Sequence, residues 1–330
     1  MDTSSSVTAV TLNWNGAADT IGCVQALLRS ESPLRQIVVC DNASRPESWQ
    51  QLLGLQTLVA PASFAHYGSL DEALAAPQRA RVVLIQTGAN LGYAGGMNVG
   101  MRYALADQGV AYCWVLNNDT EVHAAALGVL LPRCESRPQI GICGATLLLH
   151  HERDRVQALG GASYQPWRAR SMALGIGLRS HEIPSDPAPI EGRLAYVNGA
   201  AMLVRRAFME RVGLMDERYF LYSEEHDWAY RGQLKGFQLG WAPDAFVFHK
   251  HGATIGTASS GGSPLSLFYL FRSKLMFVLR HHWWCAPAAL PSLMLDALKF
   301  ALKGQGLKAA AAMKGLLAVG FPKLQPPMKR

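Results

Sequence analysis

One carboxylate and two carboxamides, Asn117-Asn118-Asp119, close the apolar run Tyr112-Cys113-Trp114-Val115-Leu116. A buried strand ending this way sets Asp119 at the C-terminal edge of a sheet, where open α/β sheets bind their ligands. A hard divalent cation carrying a diphosphate needs few protein oxygens, because phosphate and water fill its other positions. One aspartate meets that need; the same three residues also suit a plain polar turn. A second cluster, Tyr222-Ser223-Glu224-Glu225-His226-Asp227, holds three carboxylates within four positions. Acids in a first helical turn, here behind Ser223 as N-cap, are favourable for the helix dipole alone. Crowding also raises the pKa of one of them, which suits a general base. On a helix Glu224 and Asp227 share a face while Glu225 projects elsewhere. His249 ends the run Phe246-Val247-Phe248, a place from which an imidazole can complete a metal's coordination.

Two more polar turns follow apolar runs. Asp41-Asn42 ends Gln36 to Cys40; a carboxylate or amide there can accept the imide N–H of a pyrimidine, or form an Asx turn. The segment Asn90 to Gly100, with glycines at 92, 95, 96 and 100, opens a helix. Backbone without side chains can approach a phosphate at a helix N-terminus, and it can equally serve tight helix–sheet packing. The spacing fits neither the dinucleotide fingerprint nor a P-loop.

Elements must hold these turns together. Strand signals at 7–12, 36–40, 81–86 and 112–116 alternate with helix signals, which predicts a mostly parallel sheet flanked by helices, all four turns lining one edge. Residues 165–193 lose periodicity and read as a long surface loop over the acceptor side. Strand character returns at 198–205 and 246–248, helix at 206–212 and 224–235, and three helical patterns follow near 265–281, 291–303 and 307–319.

The chain has 330 residues, 49% apolar and 17% charged, enough for one large domain with an extension. From Leu265 onward ten Lys or Arg face one acid, Asp296, so the tail carries all of the net charge of +7. A basic, aliphatic tail suits an anionic membrane surface or a lipid-linked partner, or else packing on the catalytic part or on a second subunit as a homo-oligomer. A dense Arg run is missing, so nucleic acid is not expected. The six cysteines form no Cys-x-x-Cys pair and sit mostly in apolar runs, which fits a reducing compartment. No signal-peptide layout and no bilayer-spanning apolar stretch are expected; the best candidate, 283–295, stops at Asp296.

Taken together, Leu12-Asn13-Trp14-Asn15-Gly16, Asp41-Asn42-Ala43-Ser44, Asn90 to Gly100, Leu116 to Asp119, Asn198-Gly199-Ala200, Val212 to Glu217 and Tyr222 to Asp227 resemble an inverting glycosyltransferase of family 2. Ser259-Ser260-Gly261-Gly262 and Phe268 to Arg272 extend the likeness to its bacterial rhamnosyltransferase-like branch. The resemblance implies an α/β GT-A nucleotide-diphospho-sugar transferase fold over residues 1–262, with a nucleotide half to about residue 122, an acceptor half from 123, and a basic helical extension at 263–330. It implies that Asn13, Asn15, Asp41, Asn42 and Asn90 hold the nucleotide, and that Gly92, Gly95, Gly96 and Asn98 sit against ribose and diphosphate. Asn117-Asn118-Asp119 matches the family's Asp-x-Asp-type motif, with Asn117 in place of the first Asp; Asp119 and His249 would ligate Mg²⁺ or Mn²⁺. Glu225 stands where the family has its catalytic Asp, with Asp227 and Glu224 as alternatives. The expected donor is dTDP-L-rhamnose or a UDP-hexose, the acceptor a saccharide or lipid-linked saccharide of cell-surface polysaccharide or glycolipid synthesis, and the location the cytoplasm or the inner face of its membrane. The rival readings are a sugar-nucleotide nucleotidyltransferase, which would want a basic glycine loop where Asn13-Trp14-Asn15-Gly16 stands, and a non-catalytic sugar-nucleotide or lipid-carrier binder.

Overall fold

The structure, a computed structural model, describes residues 6–76, 80–250 and 262–320. His251 and Ser259-Ser260-Gly261 lie outside the described residues. Five short apolar segments build the first part of the sheet: β1 (Val7–Asn13), β2 (Gln36–Asp41), β3 (Phe64–Tyr67), β4 (Val82–Gln86) and β5 (Tyr112–Asn117). Then come β6 (Thr120–Val122), β7 (Ile140–Leu149), β8 (Glu152–Leu159), β9 (Gly161–Gln165), β10 (Arg170–Ala173), β11 (Tyr196–Val197), β12 (Ala201–Arg205) and β13 (Gln238–His249). The main sheet runs β3-β4-β2-β1-β5-β12-β7-β13-β6, with β8 added on β7. The strands from β3 to β5 are parallel neighbours, so the polar ends of β1, β2, β4 and β5 share one edge. The antiparallel pairing of β13 with β6 sets His249 opposite Thr120, next to Asp119.

Strand residues alternate between two cores, as the period of two requires. Val10, Val38, Cys40, Cys113 and Val115 face one core; Val7, Ala9, Ile37, Val39, Trp114 and Leu116 face the other. Helices α1 (Ala17–Leu28), α2 (Pro46–Leu53) and α5 (Ala126–Glu135) cover the second face, while α3 (Leu70–Ala75) and α4 (Gly92–Ala106) cover the first. All six cysteines are free and buried, as small hydrophobes would be.

Residues 165–193 are not one irregular loop. They supply β10 and the short helix α6 (Ala188–Glu191), and β9, β10 and β11 form a separate three-stranded sheet. Alternation there is too brief, over four-residue strands, to leave a period. Helices α7 (Arg206–Val212) and α8 (Glu224–Leu234) precede β13. The chain ends in α9 (Pro264–His281), α10 (Ala286–Leu302) and α11 (Gly306–Leu317), which share a core of Leu267, Phe271, Leu275, Leu293, Ala312 and Leu316. The crossing of α11 on α9 is so close that a Cβ on Gly315 would lie 2.2 Å from the Phe268 carbonyl oxygen. Against the expectation, the segment Trp283–Leu302 is long and apolar enough to cross a membrane by length and composition alone, with 22% of it buried. Pro287 falls in the first turn, where its missing N–H costs nothing, and the helix continues through Asp296, whose charge is paired.

Candidate active site

A cavity of about 250 Å³ opens at the shared strand edge. Asn42, Asn90, Gly92, Asn117, Asn118, Asp119 and His249 line it from the sheet side, Glu224 and Glu225 from α8. Two parts of it carry chemistry.

The first is the pair Asp119 and His249, both buried, with Oδ1 and Nε2 3.1 Å apart. Nδ1 of His249 meets Oε1 of Gln157 at 3.0 Å. With that oxygen as acceptor, Nδ1 carries the proton and Nε2 turns its lone pair toward Asp119. Two acceptors at this distance repel unless a proton or a metal cation lies between them, so the donor set fits a divalent cation. Among the described residues no group of three or more His, Cys, Asp or Glu forms a metal cage. A cation here would take its remaining ligands from substrate oxygens and water, as a hard ion at a phosphate site does. Asn118 is held by Thr20 Oγ1 at 3.0 Å, and the buried Oδ1 of Asn117 has no partner among the described residues.

The second part is the pair Glu224 and Glu225. They open α8 after Tyr222 and Ser223, two non-glycine residues in left-handed backbone, φ 68° and 66°. Such strain persists only where surroundings enforce it. Here Tyr222 Oη is bonded to Ser266 Oγ of α9 at 2.6 Å, and Ser273 donates to the Leu221 carbonyl at 2.8 Å. Both carboxyls are enclosed, and Oε2 of each lacks a partner among the described residues. Burial and the neighbouring carboxylate push Glu224 well above the ordinary carboxylate range; burial also raises Glu225, while the hydrogen bond from Glu224 pulls it back. Glu224 therefore keeps the shared proton and Glu225 ionises first.

Several expected residues stand elsewhere. Asp227 is fully buried, ion-paired to Arg231 at 2.7 Å and hydrogen-bonded with His281 at 2.7 Å, contacts that hold its carboxyl below the usual range against burial. It ties α8 to α9 and is not among the residues lining the cavity. Asn13 and Asp41 lie behind the cavity wall: Asn13 Nδ2 donates to Asp41 Oδ1 at 2.8 Å, and Asp41 Oδ2 accepts the Ser44 N–H at 3.2 Å. Asn15 braces the same turn, accepting the Arg45 N–H at 2.8 Å. Gly95 and Gly96 are packing glycines, since a Cβ would strike Leu91 or Leu12 at 2.7 and 2.4 Å. Asn98 is bonded to Met215 and Glu217 and is not in the cavity lining. Of that segment's four glycines only Gly92 is in the cavity lining, with φ +72° and the Phe220 carbonyl 2.2 Å from where a Cβ would be. Asn42 and Asn90 line it too, with much of their bonding spent on the loop before α4.

Sequence reasoning assigned no role to Trp14, Tyr93, Phe220 and the α9 residues Leu265, Ser266 and Tyr269, all in the lining. The site thus draws on both sides of the boundary expected at residue 262. Nothing in the spacing of Leu265 and Tyr269 says that an amphipathic turn faces substrate rather than core.

Residues 7–260 match the family described as glycosyltransferase like family 2. The chain belongs to that family. This glycosyltransferase is 30% identical over 229 residues to the N-acetylglucosaminyl-diphospho-decaprenol L-rhamnosyltransferase of Mycobacterium tuberculosis, covering 62% of this chain and 70% of that one. It is 26% identical over 156 residues to the low-salt glycan biosynthesis hexosyltransferase Agl10 of Haloferax volcanii, covering 47% and 48%. In fold it is similar to the mannosyltransferase PcManGT of Pyrobaculum calidifontis, solved with GDP-Man and Mn²⁺, at TM-score 0.56 and 12% identity over 96% of this chain and 88% of that one. GalNAc-T7, solved with UDP, GalNAc and Mn²⁺, gives TM-score 0.59 at 15% identity over 83% and 47%. The fold is the GT-A type with a C-terminal helical extension.

Proposed function

We propose that this glycosyltransferase transfers a sugar from a nucleotide diphosphate to a saccharide or lipid-linked acceptor with inversion, Glu225 being the base and one divalent cation sitting at Asp119 and His249. The observation that carries this reading is that one cavity presents the Asp119–His249 pair and the Glu224–Glu225 pair together. L-Rhamnose from dTDP-L-rhamnose is the leading donor, because the relative at 30% identity is named for that sugar; a UDP-hexose is the second. Mn²⁺ in two structural neighbours supports a divalent cation, with Mg²⁺ as the alternative ion.

The nucleotide lies toward Trp14, Asn42 and Asn90, and the diphosphate toward Gly92 and Asp119. Glu225 takes the proton of an acceptor hydroxyl as its oxygen bonds to the donor's anomeric carbon. The bond from that carbon to the diphosphate breaks, and its electron pair leaves with the nucleotide diphosphate. Glu224, protonated, holds the base in place. What a cation at Asp119 and His249 supplies is positive charge against the leaving diphosphate.

We place the protein at the inner face of a cytoplasmic membrane. The exposed side of α10 carries Leu290, Met294, Leu295, Leu298 and Leu302, with exposed Trp283, Trp284 and Trp167 nearby in sequence or packing. Lys299 and Lys303 flank this apolar stripe, which suits an anionic bilayer surface. Asp296 is bound to Arg170 of β10 at 2.7 Å, so α10 is fastened along the protein; that favours lying on the bilayer over crossing it.

The test is slow hydrolysis of dTDP-rhamnose and UDP-hexoses with Mg²⁺, Mn²⁺ or chelator. Release of one nucleotide diphosphate only with metal, lost in Asp119→Ala and in Glu225→Gln while Glu225→Gln still binds donor, is the expected result. Hydrolysis undiminished by chelator and by Asp119→Ala would remove the metal site, and full transfer by Glu225→Gln would remove the base.

A further inference from the structure

Glu225 also lines a second cavity, of about 180 Å³, together with Tyr164, Ser171, Tyr196, His226, Lys274 and Phe277. Part of its wall is aromatic. His226 stacks on Phe277 with centroids 3.8 Å apart, and Tyr164 and Tyr196 meet the same imidazole at 4.4 and 4.7 Å. Burial pushes His226 well below its ordinary pKa, so the ring is neutral near pH 7. A neutral aromatic surface offers packing area to the C–H face of a sugar ring.

The rest of the wall is polar and unfinished. The Tyr164 hydroxyl is buried with no hydrogen-bond partner among the described residues. Lys274 is half-buried and makes no hydrogen bond or ion pair there. The acid whose charge acts on it, Asp296, is already engaged by Arg170 and Lys299 at 2.7 Å each. A buried hydroxyl without a partner is unfavourable unless something else completes it, and an ammonium on the same cavity wall without a counter-charge can take an anion. The complement of an ammonium beside a hydroxyl donor is an anionic oxygen, and phosphate is the anion that accepts several such bonds at once.

We propose that this second cavity seats a phosphate group on the acceptor, with Lys274 Nζ as its counter-charge and Tyr164 Oη as a second donor. The acceptor is then a glycosyl phosphate or diphosphate: its sugar lies on the aromatic wall, one hydroxyl reaches Glu225, and the phosphate on its anomeric oxygen meets Lys274. The assignment rests on the proposed glycosyltransferase reading and adds the acceptor's charge to it. A lipid beyond the phosphate has a place to go, because Asp296, whose charge acts on Lys274, belongs to α10, whose exposed side is apolar.

Calorimetry tests this without knowing the acceptor sugar. The nucleotide diphosphate found to bind is held saturating, and geranyl diphosphate, geraniol and inorganic diphosphate are titrated in turn. Geranyl diphosphate should bind the wild type, about tenfold or more weaker to Lys274→Gln, and nearly as well to Lys274→Arg, while geraniol should not distinguish the three. Tyr164→Phe should weaken geranyl diphosphate severalfold. Nucleotide affinity, unchanged in every variant, reports that the fold is intact. Equal binding of geranyl diphosphate by wild type and Lys274→Gln overturns the proposal, as does no binding to a wild type that holds nucleotide. Inorganic diphosphate binding as tightly as geranyl diphosphate would assign the cavity to free phosphate and remove the acceptor from it. Failure of any nucleotide diphosphate to bind would instead sink the glycosyltransferase reading of the first cavity.

Discussion

In the proposed mechanism two adjacent glutamates divide the work of one base. Glu224 is the more strongly raised, by burial and by its neighbour's charge, and Glu225 is the partner that its hydrogen bond steadies. Replacing Glu224 with Gln keeps a donor aimed at Glu225, so transfer should persist. Replacing it with Leu removes the donor, and burial then raises Glu225 further. The acidic limb of kcat/KM should move to higher pH in Glu224→Leu and stay in place in Glu224→Gln; identical limbs in all three proteins would show that Glu224 does not tune the base. The same shift has a stability consequence. A carboxyl with a raised folded pKa stabilises fully below its unfolded pKa and loses that contribution as pH rises toward the folded value. Each pH unit in that window costs the wild type about 1.4 kcal/mol. Glutamine escapes this cost, so the stability of Glu224→Gln relative to wild type should grow between pH 5 and pH 8 in urea denaturation. A difference flat across that range would place the ionised form of Glu224 in the folded state already at pH 5.

At the scale of elements, α4 shows what a glycine-rich helix start is for. A Cβ on Gly100 would meet Val10 at 2.4 Å and Cys40 at 2.9 Å, and one on Gly96 would meet Leu12 at 2.4 Å. These glycines let α4 lie directly on β1 and β2, and only Gly92 reaches the cavity. Gly100→Ala should cost about 1–3 kcal/mol of stability, as overpacking does, with nucleotide affinity of the folded protein almost unchanged. A large loss of nucleotide affinity at wild-type stability would return this part of the helix to the phosphate site. The case also marks how far the sequence could be read. Asn117-Asn118-Asp119 and His249 were legible because strand ends are local signals and parallel pairing brings those ends to one edge. Glu224 and Glu225 were legible as a cluster, but only the pairing of Asp227 with Arg231 and His281 separates that acid from the two that face the cavity, and His281 is 54 residues away. Asn13 and Asp41 sit at strand ends as expected, yet burial behind the wall depends on Ser44 and Ser48, whose contacts no periodicity announces. The wall contributed by α9 was invisible for the same reason.

Across the whole molecule, α9 joins two surfaces. One side of it closes the active-site cavity through Leu265, Ser266 and Tyr269; the other holds α10 and α11, which turn Leu295, Leu298, Leu302, Leu307 and Leu317 outward. An exposed leucine stripe on a helix that also carries lysines is unstable in water alone and favourable at a headgroup boundary. Both halves of that attraction can be removed separately. Leu295→Glu with Leu302→Glu deletes apolar area and adds repulsion from anionic lipid, while Lys299→Gln with Lys303→Gln deletes charge only. Sedimentation with vesicles of anionic and of neutral phospholipid should show the wild type bound to the anionic ones. The leucine pair should release it at any salt concentration. The lysine pair should weaken binding by roughly 2 kcal/mol at low salt, about 1 kcal/mol for each basic residue near the surface, and less as salt rises. Donor hydrolysis, which needs no membrane, should be equal in all three proteins. If the leucine pair leaves vesicle binding intact, the outward face of α10 is not what touches lipid. If the wild type binds no vesicle and instead forms a dimer that the leucine pair dissolves, the same face belongs to a second copy of the chain.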